Sequence, residues 1–402
     1  MTLSNETIKI IKSTAPVLEV HGATITTVFY KNMFINHPEL LNIFNEANQK
    51  QGKQQQALAN MVYAAAKNID QLENVLEEVK LVAHKHRGLG VKPEHYPIVG
   101  KYLLLAIKEV LGDAATDEIM NAWEETYGVI AQVFIDLEKQ MYEEAKAQQG
   151  GWDGFKDFVI TDKVKESDII TSFYLKPKDN SQIADYNAGQ YLTIRVTMPN
   201  EKYMQIRHYT ISAAPGADSY RISVKKEIDS TPNGVVSTYL HDSVEIGDTV
   251  EASAPAGTFT LEENDQPITL ISGGVGITPM VSMLETLASN QSTQSINFVH
   301  AARNSDIHAF HDHVTELVTA LPNASYTYGY SDLESKEHGD FKGYLTKEVL
   351  EKTVTENTVC YIVGPIPFMK HVAHLLNEIG LSDENIRYEL FGPAQDILAE
   401  VI

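Results

Sequence analysis

The chain has 402 residues, 43% of them hydrophobic and 21% charged, which is the composition of an ordinary globular protein with room for two or three domains. Its formal net charge of −22 at pH 7 argues against a nucleic-acid partner or an anionic membrane surface, because excess carboxylate is repelled by both. The single cysteine, Cys360, excludes an intramolecular disulfide. Residues 1–6 show no secretory leader, and no apolar stretch reaches the roughly 20 residues of a membrane span. We therefore expect a cytoplasmic protein with no membrane span.

The first part of the chain, residues 1–147, has the pattern of an all-α domain. Apolar residues recur every three or four positions, as at Val75, Val79 and Val82. A glycine-rich stretch follows at 148–153, and its composition predicts a linker between two domains.

Beyond the linker the apolar period changes to two, which predicts an antiparallel β-barrel over residues 154–264 with one short helix near 235–240. The barrel strands predicted from this period are 191–198, 205–211 and 220–226. Over residues 265–402 strands and helices alternate, which predicts an α/β domain with a parallel sheet. The strands predicted there are 268–272, 296–300, 325–330, 359–363 and 386–390.

Three histidines of the helical domain, His84, His86 and His95, are candidates for an iron ligand. His84 and His86 would lie about 200° apart on a helix, so both cannot face one pocket. Apolar residues precede His86 by three, four and seven positions, whereas charged residues precede His84 by four and seven. The pattern therefore predicts His86 on a buried face and His84 on a solvated one. A histidine on an apolar face is by itself more often an ordinary core residue than a metal ligand.

Three further residues of this domain are suited to the far side of such an iron. Gln54 begins an apolar stripe, and its amide can hydrogen-bond a diatomic ligand. Tyr30 lies one turn before apolar residues, so its phenol is expected to point inward and donate. Phe44 is suited to stacking on a porphyrin. Each of these residues taken singly is equally compatible with core packing.

Together, in this order and spacing, these residues resemble the globin domain. The resemblance implies that His86 is the proximal iron ligand, that Tyr30 and Gln54 stabilise the bound ligand, and that Phe44 contacts the haem. Lys85 matches a lysine at the haem edge, although a lysine beside His86 is also compatible with simple solvation.

Tyr96 and Glu138 make the resemblance more specific. Glu138 lies on the inward stripe of the last predicted helix, where a carboxylate is costly unless it is hydrogen-bonded or paired. In flavohaemoglobins a tyrosine and a glutamate reach the imidazole of the iron ligand, and Tyr96 and Glu138 match those positions. This implies a more electron-donating ligand, which favours activation of oxygen over its release.

The barrel contains the tetrad Arg207, His208, Tyr209 and Thr210, in which Arg207 and Tyr209 alternate to one side of a predicted strand. It resembles the Arg-x-Tyr-Ser motif of the ferredoxin–NADP reductase superfamily. The resemblance implies that the arginine pairs with the flavin pyrophosphate, the tyrosine lies against the isoalloxazine and the hydroxyl addresses the reactive ring nitrogen. Thr210 supplies that hydroxyl instead of the usual serine, so its added methyl group leaves the hydride geometry open.

Other segments match the same superfamily at its flavin site. One is a strand start at 189–191, another opens the short helix at 234 with free amides suited to a pyrophosphate, and a third is a C-terminal segment whose aromatic covers the flavin. The flavin-contacting residues that this implies are Tyr191, Gly234, Val236, Ser237, Glu389, Leu390, Phe391, Gly392 and Pro393.

A glycine-rich loop after the first strand of the α/β domain resembles the nicotinamide-nucleotide loop of that superfamily. Its residues are Gly273, Gly274, Val275, Gly276, Ile277, Thr278 and Pro279. It lacks the third glycine of the usual G-x-G-x-x-G pattern. We predict Thr278 as the N-cap of the next helix and Pro279 as its first residue.

A second loop matches the Cys-Gly-Pro of the family at Gly364 and Pro365, but Val363 replaces the cysteine. Cys360 cannot substitute, because three positions along a strand it faces the opposite side. Arg303 is suited to a 2′-phosphate or to an adenine ribose, which leaves NADH and NADPH both open.

The resemblance to flavohaemoglobins extends from residue 8 to residue 393. It implies haem b, FAD and NAD(P)H as cofactors, and electron transfer from NAD(P)H through FAD to haem. It also implies nitric oxide dioxygenase activity, with oxygen and nitric oxide as substrates and nitrate as product. Two alternatives stay open, a haem-based oxygen or redox sensor with an attached reductase, and an alkylhydroperoxide or lipid peroxide reductase with a lipid in the apolar distal pocket. We further expect a monomer.

Overall fold

The computed structural model describes residues 3–44, 49, 52–199, 201–228, 233–332, 334, 339–392 and 397–398. Two compact units divide the chain. The first comprises Met1–Gln148, Trp152–Phe155 and Arg195–Arg207, and the second comprises Gln149–Gly151, Lys156–Ile194 and His208–Ile402. The predicted boundaries at 147, 153 and 264 thus remain a prediction, since the barrel and the α/β region share the second unit.

The region before the linker is helical, as the apolar spacing predicts. Its α-helices are α1 (Asn5–Asn36), α2 (Lys53–Lys67), α3 (Leu76–Leu89), α4 (His95–Leu111) and α5 (Asp117–Ala147). Short 3-10 turns lie between them at Pro38–Asn42, Leu72–Val75 and Gly112–Ala114. Throughout the described ranges, no helix has both the length and the hydropathy that crossing a bilayer requires.

Side-chain caps fix where the two longest helices begin. The Ser4 hydroxyl accepts a hydrogen bond from the Thr7 amide at the start of α1, and the Thr116 hydroxyl accepts from the Ile119 amide at the start of α5. Such caps satisfy amides that have no partner within the helix. Helix α1 packs against α2, α4 and α5 around a core of fully buried apolar side chains.

The middle of the chain forms a six-stranded sheet in the order β4-β3-β6-β1-β2-β5. Its strands are β1 (Phe155–Lys165), β2 (Ile170–Pro177), β3 (Tyr191–Val196), β4 (Gln205–Thr210), β5 (Tyr220–Lys225) and β6 (Thr249–Ser253). The pairings of β1 with β2 and of β2 with β5 are antiparallel, and helix α6 (Val235–Asp242) follows β5. The predicted antiparallel region and its helix are confirmed, and β1, β2 and β6 add to the predicted strands.

The last part of the chain forms a parallel sheet in the order β10-β9-β8-β7-β11-β12. Its strands are β7 (Ile268–Gly273), β8 (Ile296–Ala302), β9 (Ala324–Tyr330), β10 (Phe341–Lys342), β11 (Val359–Val363) and β12 (Ile386–Tyr388). Its helices are α7 (Ile277–Ser289), α8 (His311–Ala320), α9 (Lys347–Leu350) and α10 (Ile366–Glu378). The central strands are buried on both faces, as is usual for a parallel sheet between helices. The predicted α/β class is confirmed.

A buried ion pair connects the barrel to the parallel sheet within the second unit. Arg221 on β5 lies 2.7 Å from the carboxylate of Glu285 on α7, and the two side chains are 11% and 15% exposed. The same carboxylate accepts from the Ala214 amide at 2.8 Å and lies 2.6 Å from His313 Nε2. Burial raises the pKa of Glu285, but its hydrogen bonds and the Arg221 charge outweigh burial and lower that pKa overall.

A cluster of histidines and tyrosines lies beside β8 and β9 of the parallel sheet, and no sequence pattern predicted it. The ring of His308 stacks on that of His300 with centroids 4.5 Å apart. His308 Nδ1 lies 3.0 Å from the Tyr330 hydroxyl, and its Nε2 lies 2.7 Å from the Tyr326 hydroxyl. His300 Nδ1 lies 2.8 Å from Ser272 Oγ. Both imidazoles are thus held inside the fold.

This cluster should make the second unit sensitive to acid. Burial, with a smaller contribution from His311, lowers the pKa of His308 to about 3, well below its ordinary value. On acidification the unfolded chain therefore binds a proton at His308 that the folded chain cannot bind. Between about pH 7.5 and about pH 5 this difference should remove about 2 kcal/mol of stability. Replacing His308 with asparagine should abolish that part of the loss, measured by urea unfolding at both pH values.

The matched control is His374→Asn, since the His374 side chain is 71% exposed on helix α10. That variant should keep the pH dependence of the parent protein. An unchanged difference between the two pH values in His308→Asn would contradict the assignment of acid sensitivity to His308.

Candidate functional site

The imidazole of His86 is held by two residues from other helices. His86 lies near the end of α3, and its Nδ1 is 2.8 Å from Glu138 Oε1 on α5 and 3.2 Å from the Tyr96 hydroxyl on α4. The Tyr96 hydroxyl donates to the same carboxylate oxygen at 2.6 Å. Glu138 is only 2% exposed. The structure therefore brings together the three residues that the resemblance to flavohaemoglobins assigns to a proximal site.

Backbone contacts fix Tyr96 and the turn that precedes it. The Tyr127 hydroxyl donates to the Tyr96 carbonyl at 2.6 Å, and the Tyr142 hydroxyl donates to the Val91 carbonyl at 2.8 Å. Helix α4 has a glycine, Gly100, where any Cβ atom would overlap the Tyr127 ring. The close approach of α4 and α5 that carries Tyr96 to Glu138 thus requires a glycine.

Electrostatics define the donors and acceptors in this group. Burial, and then the adjacent Glu138 charge, raise the pKa of Tyr96 far above its ordinary value. Its phenol therefore stays protonated and donates to the carboxylate. Because Nδ1 of His86 faces Glu138 and Tyr96, Nε2 is the ring nitrogen left for a metal.

The surroundings of His86 fit a haem. The His86 side chain is 31% exposed, although its Nδ1 partner Glu138 is buried. Leu58, Met61 and Val62 on α2 are likewise only partly buried, although they pack beside the helical core. An imidazole engaged at Nδ1 and partly buried apolar side chains in the same helical region suit a flat apolar group that carries iron.

One of the two competing histidines is placed differently from the prediction. His84 is half-buried instead of solvated, and burial lowers its pKa to about 4. The charged residues that precede it therefore do not define an open face. His95, the first residue of α4, accepts a hydrogen bond from the Lys92 amide at 3.0 Å, so it holds the turn that leads into that helix. Lys85 is partly buried on α3, next to His86.

The predicted distal residues also lie together. Tyr30 at the end of α1 is 6% exposed, and its ring packs against Phe34 and Phe44 with centroids 5.7 Å and 5.8 Å away. Burial raises the pKa of Tyr30, while hydrogen bonds from Gln49 and Gln54 oppose that rise. Gln49 was missed by the sequence reasoning, because it lies in a polar stretch without an apolar period.

The predicted tetrad lies at the end of β4. Arg207 and Tyr209 are half-buried, His208 is exposed and Thr210 is 6% exposed. His208 Nδ1 lies 2.9 Å from the Thr193 hydroxyl on β3, and its ring centroid is 4.7 Å from that of Tyr191. The two predicted flavin-contacting strands are therefore adjacent at Tyr191 and His208.

Helix α6 has the features of a phosphate-binding helix start. Gly234 is its N-cap and supplies no side-chain cap, so the first amides are available to an anion. A Cβ on Gly234 would clash with the Ser237 hydroxyl, which itself donates to the Gly234 carbonyl at 3.1 Å. Thr238 Oγ1 is buried with no hydrogen-bond partner among the described residues. Val236 is buried in the core. These residues fit the pyrophosphate of a flavin nucleotide.

The C-terminal segment presents one exposed aromatic. Phe391 is 52% exposed, while Glu389 is 8% exposed and Leu390 is partly buried. Gly392 is partly buried, and Pro393 lies outside the described residues. An exposed phenylalanine is suited to covering a planar ring.

The two glycine loops at the end of the parallel sheet touch each other. A Cβ on Gly276 would overlap the Val363 carbonyl, and a Cβ on Gly364 would lie against Gly273. Gly274 has a positive φ of 54°, and Pro365 is the N-cap of α10. The two loops, whose sequences resemble nucleotide-binding loops, are therefore in contact with each other.

The predicted helix start in this loop is wrong. A 3-10 turn at Gly274–Gly276 leads directly into α7, which begins at Ile277 with Gly276 as its N-cap. Thr278 lies inside the first turn, where its hydroxyl donates to the Val275 carbonyl at 3.1 Å. Pro279 is tolerated there because amides of the first turn have no partner within the helix. Ile277, Thr278 and Pro279 are all buried.

The strand before the second loop agrees with the sequence reasoning. Val363 and Tyr361 pack into one core of the α/β region, while Cys360 packs into the core on the opposite face. The Cys360 thiol is buried and its pKa is raised by burial. The residue before Gly364 is therefore a valine, and Cys360 cannot take the place of the cysteine that the family has there.

Family comparisons cover all three regions. Residues 27–134 match the globin family, residues 157–261 an oxidoreductase FAD-binding domain and residues 270–374 an oxidoreductase NAD-binding domain. The flavohemoprotein of Oceanobacillus iheyensis is 51% identical over 98% of both chains. The flavohemoprotein of Bacillus subtilis is 51% identical over 99% of this chain and 100% of its own.

Solved structures agree. A flavohemoglobin from Malassezia yamatoensis, crystallised with FAD and heme, is 30% identical and superimposes with a TM-score of 0.88 over 98% of this chain and 100% of its own. The FAD/NAD-binding domain of a nitric oxide dioxygenase from Vibrio cholerae is 36% identical, with a TM-score of 0.55 over 59% of this chain and 99% of its own. From its paired haem and flavin–nicotinamide regions and from these relatives along its whole length, the chain belongs to the flavohaemoglobin family.

Proposed function

We propose that this flavohaemoglobin is a nitric oxide dioxygenase, which converts nitric oxide and oxygen to nitrate with electrons from NAD(P)H. It is an oxidoreductase that uses haem, FAD and a nicotinamide nucleotide. When bound, these groups supply hydride acceptance, one-electron transfer and oxygen binding.

The contact of His86 with the buried Glu138 carboxylate is the observation that carries this proposal. A carboxylate that accepts from Nδ1–H makes an imidazole a stronger electron donor to its metal. Oxygen storage gains little from such a donor, whereas repeated oxygen activation requires it. Tyr96 keeps Glu138 in place by donating to the same oxygen.

On the face of the haem away from His86, Tyr30 and Gln54 would supply hydrogen-bond donors to a bound ligand. The Tyr30 phenol stays protonated because its pKa is raised by burial. A protonated phenol in an aromatic pocket can polarise a small anionic ligand without delivering water to it. Phe34 and Phe44 shape that pocket.

In the second unit the chain binds and orients the electron donors. Tyr209 and Thr210 are neighbours on β4, so a phenol ring and a hydroxyl are both available to a flavin bound beside that strand. The start of α6 would bind phosphate through its amides, and the loops at Gly276 and Gly364 would hold the nicotinamide nucleotide. The exposed Phe391 ring would cover the flavin when it is bound.

The test is to mix the reduced, oxygenated holoprotein with nitric oxide and to measure its consumption together with nitrate and NADH oxidation. We expect about one nitrate for each nitric oxide consumed. A different ratio, or turnover no faster than autoxidation, would refute the dioxygenase assignment and favour the sensor or peroxide reductase alternatives.

Replacing Tyr30 with phenylalanine should separate ligand chemistry from electron supply. The variant loses one hydrogen-bond donor and keeps the ring that packs against Phe34. We expect nitric oxide consumption to fall about tenfold, the equivalent of one charge-assisted hydrogen bond. The rate of haem reduction by NADH, measured by stopped flow, should change less than twofold. Equal losses in both rates would contradict a distal role for Tyr30.

A further inference from the structure

We propose that Gln49 is a positioning residue of the distal pocket: its side-chain amide orients Gln54 and Tyr30 so that the Tyr30 hydroxyl donates its proton to the ligand. The inference rests on the proposed function only in taking this pocket as the side of the haem where oxygen binds. Gln49 itself is not placed in contact with the ligand.

The observation is a chain of amides with a single direction. Gln55 Nε2 donates to both the backbone carbonyl and the side-chain Oε1 of Gln49, each at 3.1 Å. Gln49 Nε2 then donates to Gln54 Oε1 at 3.0 Å. The backbone of Gln55 is fixed in turn, because its carbonyl accepts from Thr26 on α1 at 2.9 Å. The amide of Gln49 is thereby held at both ends.

This direction determines which end of Gln54 can donate. An amide side chain has one oxygen that accepts and one nitrogen that donates. Since Gln54 Oε1 accepts from Gln49, the nitrogen of Gln54 is the end available to Tyr30 and to a ligand. Without Gln49, the Gln54 amide would be free to rotate and present its oxygen to Tyr30 instead.

The same chain sets the direction of the Tyr30 proton. Hydrogen bonds from Gln49 and Gln54 act to lower the pKa of Tyr30, which is the effect of donors to its oxygen. With two amide donors directed at that oxygen, the hydroxyl proton is the part of Tyr30 left to donate elsewhere. The rings of Phe29, Phe34 and Phe44 pack around Tyr30 and offer no strong acceptor. The O–H bond is therefore directed away from the glutamines, towards the space where a ligand would lie.

The experiment uses the full-length holoprotein with Gln49→Leu and Gln49→Glu. The leucine variant removes both donors, and the glutamate variant keeps the size of the side chain but presents only acceptors. The matched control is Gln56→Leu, because Gln56 is exposed on α2, the helix that carries Gln54, and donates to Asn60. Each variant is also made in a Tyr30→Phe background.

Two readouts do not depend on nitric oxide. One is the oxygen dissociation rate of the ferrous protein, and the other is the C–O stretching frequency of its carbon monoxide complex. We expect Gln49→Leu to raise the oxygen dissociation rate about fivefold to tenfold, the effect of one lost hydrogen bond. Gln49→Glu should raise it more, because Tyr30 would then donate to the carboxylate. In both variants, the C–O stretching frequency should move to the value of bound carbon monoxide that accepts no hydrogen bond.

In the Tyr30→Phe background the Gln49 substitutions should change the dissociation rate less than in the parent protein, because only the part that acts through Gln54 remains. A Gln49→Leu variant that behaves like Gln56→Leu would overturn the proposal. An equal effect of Gln49→Leu with and without Tyr30 would also overturn it. If nitrate is not formed while these shifts are observed, the dioxygenase assignment fails and the role of Gln49 stands.

Discussion

Replacing Arg221 with methionine should lower the free energy of unfolding of the second unit by about 3–5 kcal/mol, the cost of leaving a buried charge without its partner. Glu285 would keep the Ala214 amide and His313 but lose the cation 2.7 Å away. Arg221 also hydrogen-bonds Ser212 and lies 5.2 Å from the centre of the Phe310 ring. Its loss therefore weakens the contact between barrel and parallel sheet from several directions.

This loss of stability is measured by denaturant unfolding, with the release of flavin as the signal for the second unit. Trp123 and Trp152, the two tryptophans of the chain, both belong to the first unit, so their fluorescence is an internal reference. We expect the flavin transition to shift to lower denaturant and the tryptophan transition to stay in place.

Two further variants show whether charge or packing causes this loss of stability. Arg221→Met combined with Glu285→Met should regain most of the lost stability, because an apolar pair replaces the ion pair. Lys225→Met removes one member of a more exposed pair with Glu227 and should cost less than about 1 kcal/mol. A double variant as unstable as Arg221→Met would show that packing, and not charge, explains the loss.

Replacing Glu138 with glutamine should reduce nitric oxide turnover about tenfold to a hundredfold, the usual cost of removing a group that orients a metal ligand. Glutamine preserves the size of the side chain but removes the charge 2.8 Å from His86 Nδ1. The imidazole then donates less electron density, so the reduction potential of the haem should rise. The iron–histidine stretching frequency in the ferrous protein should fall.

The control for this prediction is Glu143→Gln on the same helix, whose side chain is 70% exposed. It carries the same change in charge and should alter neither the stretching frequency nor turnover. Reduced turnover in Glu138→Gln with an unchanged iron–histidine frequency would contradict the electronic role and leave only a structural one.

The helical half of the fold was readable from the sequence because its signals are local. Apolar periods identify the helices, and the residues at 36–38 and 112 that break them lie where α1 and α4 end. The period of two and the later alternation of strands and helices likewise identified the barrel and the parallel sheet. The exact start of α7 was not readable, because a 3-10 turn and an α-helix share the same residue preferences.

In the candidate site, residues on strong periodic patterns were predictable and residues outside them were not. His86 and Glu138 lie on apolar stripes, so their directions followed from helix geometry. Gln49 precedes α2 in a polar stretch, and only the folded chain shows that it reaches Gln54. His308, which follows β8, stacks on His300 and meets Tyr326 and Tyr330 of β9 only once the chain has folded.

The proximal imidazole of His86 and its two partners, Tyr96 and Glu138, come from three helices, with Glu138 separated from His86 by 52 positions in sequence. The electron-donating strength of the iron ligand is therefore a tertiary property of the fold. A substitution that shifts α5 against α3, even one far from the pocket, would retune the redox midpoint before it unfolds the protein. For protein engineers this makes Gly100, Tyr127 and Tyr142 remote tuning positions, since their contacts set the distances at which Tyr96 and Glu138 meet His86.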